Sequence, residues 1–166
     1  MDLETARLHL RTFTADDAPV VLDILGRADV VRWLEDGEPK PLADLDAART
    51  KIAFWNELEP PLHQWAIEVR ATGAVVGWAC LVPVPDSDGL VQVGWTLHPD
   101  ETGHGYVTEA ARAVLDHGLA AGLGEIRALM MLGNDASVRV AERLGMRDLG
   151  ITEEWYESPS RMFLAT

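Results

Sequence analysis

Leu8 and Leu10 alternate with Arg7, His9 and Arg11 across the segment from Ala6 to Arg11, which is the period of a half-buried strand. Thr14-Ala15-Asp16-Asp17 then offers a capping residue and early acids for a helix running to Leu25, where Gly26 can end it. A short helical turn is expected from Asp29 to Leu34. A loop rich in glycine and proline should follow from Glu35 to Pro41, then a second helix from Asp44 to Leu58, stopped by Pro60-Pro61. From Gln64 the period changes to two. Strands are predicted at Trp65 to Arg70 and Ala74 to Val82, with a tight turn at Ala71-Thr72-Gly73, and at Leu90 to Leu97. A glycine-bearing loop leads into a helical pattern from Glu109 to Gly122, which sets Ala110, Ala111, Val114, Leu115, Gly118 and Leu119 on one face and Arg112, Asp116 and Ala120 on the other. A strand at Ile126 to Leu132, a helix from Ser137 to Leu144 ended by Gly145, and strands at Asp148 to Trp155 and Arg161 to Leu164 complete the reading. The expected fold is α+β: helices first, then a mixed, mostly antiparallel sheet with helices on its faces.

A chain of 166 residues with 48% hydrophobic content is expected to form one domain, spanning 1–166, with a sizeable core. No repeat, low-complexity stretch or linker interrupts it. Acid at Asp2 and Glu4 stands where a secretory signal would carry base, and no apolar run reaches membrane-spanning length. Cys80 is the single cysteine and falls in an apolar strand pattern, so an intramolecular disulfide is excluded and a buried, unreactive thiol is expected. Together these features point to a cytoplasmic protein without a membrane partner. The formal charge of −13 comes from 27 acids against 14 bases, with no basic cluster, which argues against a nucleic-acid partner. An acidic field suits cationic amines, though it is equally a solubility device.

The sharpest signal is Gly103-His104-Gly105-Tyr106-Val107-Thr108, between a predicted strand and a predicted helix. Such a loop turns free N–H groups toward a phosphate at a helix N-terminus, where the dipole also favours an anion. Glycines at 103 and 105 keep side chains out of the approach, and Thr108 can cap the helix or donate its hydroxyl. The dinucleotide fingerprint fails because Thr108 stands where its third glycine belongs, and no phosphate-loop lysine motif exists. No G-x-S-x-G elbow supports a serine hydrolase. The histidines show no ligand spacing, so no metal is expected.

Leu97-His98-Pro99-Asp100, followed by the glycine loop and Glu109-Ala110-Ala111, resembles the acetyl-CoA-binding motif of the GNAT superfamily of N-acetyltransferases. Asn134, Ser137 and Leu144-Gly145-Met146 resemble its RimJ/RimL-type branch, and Arg7-Leu8-His9-Leu10-Arg11 and Gly73-Ala74-Val75-Val76-Gly77 fit the same family. The resemblance runs from about Thr5 to Leu164. It implies a three-layer GNAT fold and acetyl transfer from acetyl-CoA to a primary amine, either a peptide or protein N-terminus or a small cationic amine, by direct attack in a ternary complex. It assigns the amides of Gly103, His104, Gly105, Tyr106, Val107 and Thr108 to the pyrophosphate. Leu97 and His98 would hold the pantetheine arm and the acetyl carbonyl through backbone N–H. Asn134 would bond the cofactor near that arm, and Ser137 would protonate the departing thiolate. Homodimers are frequent in this family.

Three positions depart from the family pattern. Asp100 replaces a Gln or Arg that often contacts pyrophosphate, Ala141 replaces a tyrosine acid, and Gln92 replaces a glutamate base on the central strand. Gln92 cannot abstract a proton, so it is read as lining the acceptor site. Because an aliphatic amine arrives protonated, another group must take its proton; Glu153, with Glu154 beside it, is the candidate on the strand lining the acceptor side. Trp33, Trp55 and Trp65 fall in or near the early helical region that forms the acceptor wall in this family, with Trp33 the candidate to hold a cation or peptide N-terminus. Core packing explains tryptophans as well, and a serine at a helix start is also an ordinary cap. A catalytically silent acyl-CoA-binding module, favoured by Gln92 and Ala141, and an acyltransferase for another acyl group such as succinyl are the competing readings.

Overall fold

The computed structural model describes residues 1–34 and 37–166; the first two positions of the loop expected from Glu35 lie outside the described residues. The strands are β1 (Leu3–Glu4), β2 (Leu8–Thr12), β3 (His63–Val69), β4 (Ala74–Pro83), β5 (Val91–Leu97), β6 (Ile126–Met131), β7 (Arg147–Thr152) and β8 (Ser160–Ala165). The helices are α1 (Ala18–Leu25), α2 (Ala28–Val31), α3 (Leu45–Trp55), α4 (Tyr106–Ala120) and α5 (Asp135–Arg143). The eight strands form one sheet in the order β1-β2-β3-β4-β5-β6-β8-β7. All neighbours pair antiparallel except β5 and β6. This is the mixed, mostly antiparallel sheet flanked by helices that the hydrophobic pattern predicts.

Each face of the sheet carries its own core. On one, α4 packs Ala110, Ala111, Val114 and Leu115 against Leu8, Leu10, Trp65, Ile67 and Leu81. On the other, α1 and α3 pack Val21, Ile24 and Ile52 around Phe13, Trp55 and Trp78, whose rings lie 5.1–6.4 Å apart. β3 is buried along nearly its whole length because helices cover both of its faces. Trp55 and Trp65 are therefore core residues.

The sheet departs from strict alternation at one place that matters for the site. Ile67 faces Gly77 while Glu68 faces Val75, so Val76 is an extra residue in β4. The bulge puts Val76 and Ala79 into the same core, although unbroken alternation would put them on opposite faces. Several boundaries also differ from expectation: the helix expected from Asp44 to Leu58 ends at Trp55, and the one expected from Ser137 begins at Asp135. The strand expected from Asp148 to Trp155 ends at Thr152, and the helix expected at Glu109 begins three residues earlier, at Tyr106.

Candidate functional site

The cleft arises where β5 and β6 part. These parallel neighbours are in register only at Gln92 and Arg127, and the ends beyond diverge. On its other side β5 stays paired with β4, and the His98 N–H donates to the Val76 carbonyl at 2.7 Å. Backbone groups in an antiparallel pair alternate in direction, so Trp95 and Leu97 turn theirs toward the parted edge. A cleft of about 900 Å³ opens there, lined by Leu97, Gly103, Gly105 and the first turn of α4 on one side and by Asn134, Ser137 and Val140 of α5 on the other. Trp33 and Thr96 line both this cleft and a smaller pocket of about 190 Å³ that runs beneath it past Cys80, Gln92 and Tyr156.

The glycine loop turns on two left-handed residues, Gly103 at φ +86° and Gly105 at φ +78°. Gly105 is the helix N-cap and supplies no capping side chain. The first amides of α4 therefore lack intrahelical partners and face the cleft with the positive end of the helix dipole. Tyr106, Val107 and Thr108 all line the cleft, but Thr108 lies inside the helix and so is not its cap. His104 turns away: its Nδ1 lies 3.2 Å from the Glu101 carbonyl oxygen and its ring stacks on Tyr106. Arg112 and Arg143 add cations to the cleft of an otherwise acidic protein. Arg112 also donates to the carbonyls of Leu144 and Arg143, closing the C-terminal end of α5.

At the other wall, Asn134 rather than Ser137 is the N-cap of α5. Its side-chain oxygen accepts the Ser137 N–H at 3.3 Å. The Ser137 hydroxyl is thus free of capping duty. It accepts the indole N–H of Trp95 at 3.3 Å, which leaves its own proton to donate. Gln92 donates to the Tyr156 hydroxyl at 2.6 Å.

Two of the expected site residues lie elsewhere. His98 cannot offer its N–H to a ligand, because that group is spent on Val76. Its carbonyl accepts from Glu101, its Nδ1 accepts the Asp100 N–H at 3.2 Å, and its Nε2 lies 2.9 Å from Asp23. It ties the loop to α1. Glu153 lies beyond the end of β7, is exposed and lines neither cavity, as does Glu154, because the strand that was to carry them stops at Thr152. Tyr156, in the smaller pocket against Gln92, carries no local mark in the chain. Trp95 packs against the same core as Val91, Val93 and α4, and there its indole meets Ser137.

Cys80 is buried, and burial pushes its thiol up to about 12. Among the described residues no group of three or more His, Cys, Asp or Glu converges as a metal site, and no helix is long and apolar enough to cross a membrane.

A parted pair of parallel strands beside a glycine loop that opens a helix forms a cleft suited to an extended ligand that carries phosphate. Residues 7–147 match the family model described as acetyltransferase (GNAT) domain, and the chain belongs to that family. It is an acetyl-CoA-dependent acetyltransferase. It is 36% identical over 158 residues to the uncharacterized protein YkkB of Bacillus subtilis, covering 92% of this chain and 89% of that one. The fold is similar to a GNAT-family acetyltransferase from Bacillus anthracis (TM-score 0.83, 22% identity, 99% of this chain and 98% of that one). It is also similar to Mycobacterium smegmatis RimJ in complex with CoA-disulfide (TM-score 0.82, 19% identity, 100% of this chain and 87% of that one).

Proposed function

We propose that this enzyme transfers an acetyl group from acetyl-CoA to a primary amine, a peptide or protein N-terminus or a small cationic amine, by direct attack within a ternary complex. The observation that carries the reading is the Ser137 hydroxyl, held by the Trp95 indole at the parted edge of β5 and opposite the open first turn of α4. In this reading the amides of Gly103, Gly105 and the first turn of α4 take the pyrophosphate. The pantetheine arm lies along the Trp95–Leu97 edge, with the side-chain amide of Asn134 beside it. The amine enters past Trp33 and above Gln92.

The amine nitrogen forms a bond to the acetyl carbon, and the carbonyl electrons move to oxygen. That oxyanion is met by backbone N–H at the Leu97 edge. Collapse breaks the carbon–sulfur bond, and Ser137 gives its proton to the departing thiolate. The amine sheds one proton to water in the cleft before it attacks, and the second leaves the nitrogen on collapse and returns through water to Ser137, so no carboxylate is assigned as base. No covalent enzyme intermediate enters this sequence.

Release of free CoA thiol from acetyl-CoA, measured against short peptides with varied N-termini, polyamines and aminoglycosides, tests the reading. Release that depends on one amine class is expected. Ser137→Ala should lower turnover more than acetyl-CoA affinity. Equal loss in both would make Ser137 a binding residue and remove it as the acid.

A further inference from the structure

The outer end of the glycine loop is held by a residue from the opposite end of the chain. Arg7 Nη1 donates to the His104 carbonyl oxygen at 2.9 Å. The same guanidinium grips Glu109, with Nε donating to Oε2 at 2.7 Å and Nη2 also 2.7 Å from it. Glu109 is itself fixed from behind: its Oε1 accepts the Arg7 backbone N–H at 3.0 Å and the Thr5 hydroxyl at 2.6 Å. The guanidinium carbon lies 5.0 Å from the centre of the Tyr106 ring, which stacks in turn on His104.

This arrangement acts on one peptide. A trans peptide is planar, so fixing the His104 carbonyl also fixes the Gly105 N–H, which points the opposite way. With Gly103 and Gly105 both in the left-handed region, the peptides of the loop have more conformational freedom than any others nearby. A side chain that holds one carbonyl removes much of that freedom before a ligand arrives. Charge points the same way. Glu109 lines the cleft in the first turn of α4, where a phosphate and a carboxylate compete for the same positive end. Arg7 offsets the Glu109 charge and draws the carboxylate toward β2.

We infer that Arg7 is a positioning residue for cofactor binding: held by Glu109 and Thr5, it orients the His104–Gly105 peptide so that the loop amides are set for phosphate. The inference rests on the proposed phosphate role of that loop. It concerns a side chain outside the loop, and it predicts a loss confined to the phosphate-bearing half of the cofactor.

The test is binding of CoA and of pantetheine, which lacks the phosphates, to wild type, Arg7→Met, Arg7→Lys and Thr5→Val. Calorimetry reads the CoA arm and NMR shift titration the weaker pantetheine arm. Arg7→Met should weaken CoA about tenfold, the size of one charge-assisted hydrogen bond, and leave pantetheine unchanged. Arg7→Lys should recover only part of this, because an ammonium cannot span the carbonyl and the carboxylate as a fork does. Thr5→Val keeps Arg7 and loosens Glu109, and should cost a smaller factor in CoA alone, so it carries the test should Arg7→Met fail to fold. Equal loss for both probes in the variants, or unchanged CoA affinity in Arg7→Met, overturns the inference. A wild-type protein that binds pantetheine but gains nothing from the phosphates of CoA overturns the loop assignment beneath it.

Discussion

Gly77 leaves no room between β4 and β5 for a side chain, and a methyl group there should damage both stability and the cofactor edge. A Cβ built at this residue falls inside contact distance of the Thr96 carbonyl oxygen and 2.8 Å from the Leu97 Cα. Both neighbours are backbone, so no rotamer can relieve the clash; β5 must shift. Overpacking of this kind costs about 1–3 kcal/mol. For a chain of this length each kcal/mol moves Tm by roughly 2–4 °C, so Gly77→Ala should melt about 2–12 °C lower. Because Leu97 borders the cleft, acetyl-CoA affinity should fall as well. Gly118→Ala is the matched control. Its Cβ would meet the terminal methyls of Ile126 and Leu81 at 2.7 and 2.9 Å, which can rotate away. In addition, alanine in a helix interior gains about 1 kcal/mol over glycine. The control should stay within a few degrees of wild type and keep its affinity. Calorimetric melting and acetyl-CoA titration of the two variants decide the matter. A Gly77→Ala protein with wild-type Tm and wild-type affinity would refute the claim that the β4–β5 approach shapes the cleft.

The Thr96 hydroxyl is buried and has no hydrogen-bond partner among the described residues, so Thr96→Val should raise stability by about 1 kcal/mol in thermal melts; a lower Tm would show that the hydroxyl is satisfied after all. Burial, reinforced by the N-terminal ammonium, holds the His63 imidazole below its ordinary value. The unfolded chain therefore takes up that proton first: stability is whole above about pH 6.5 and declines as pH falls through the window beneath it. His63→Gln should flatten the melting profile below about pH 6.5, and an unchanged slope would exclude His63 as its source. Asp17 and Arg11 form a bidentate pair at 2.8 and 2.9 Å. Burial alone would raise the Asp17 carboxyl, but hydrogen bonds from Arg11 and Thr14 outweigh it and hold the group below its usual value. Asp17→Ala leaves Arg11 paired with Glu68 alone and opens the cap before α1, so a loss of about 2 kcal/mol is expected in urea unfolding; a loss under 1 kcal/mol would contradict the pairing. The native Cys80 thiol should resist a thiol reagent at pH 8 and react once the chain is unfolded, because burial pushes it up to about 12.

What could be read from the chain follows the range of each interaction. Alternation of Leu8 and Leu10, or the spacing of Ala111, Val114 and Leu115, reports a face that neighbouring residues share, and those faces are buried as read. The glycine loop was legible for the same reason: strand, turn and helix start are all local. Alternation fails where a single residue is inserted. Val76 carries no local mark of a bulge, yet it reverses the parity of β4 and turns its carbonyl to the His98 N–H. A backbone group read from sequence as open to the cofactor is closed by a residue 22 positions earlier. The Arg7 clamp illustrates the same limit from the opposite side. Arg7 reads as the outward residue of a half-buried strand, and only the packing of α4 across β2 brings Glu109 to it. Local chemistry can therefore supply the amides that meet a phosphate, whereas their orientation depends on contacts about 100 residues apart in the chain. A substitution at Arg7 or Thr5 should consequently reach the cofactor site although neither residue belongs to the motif that marks it.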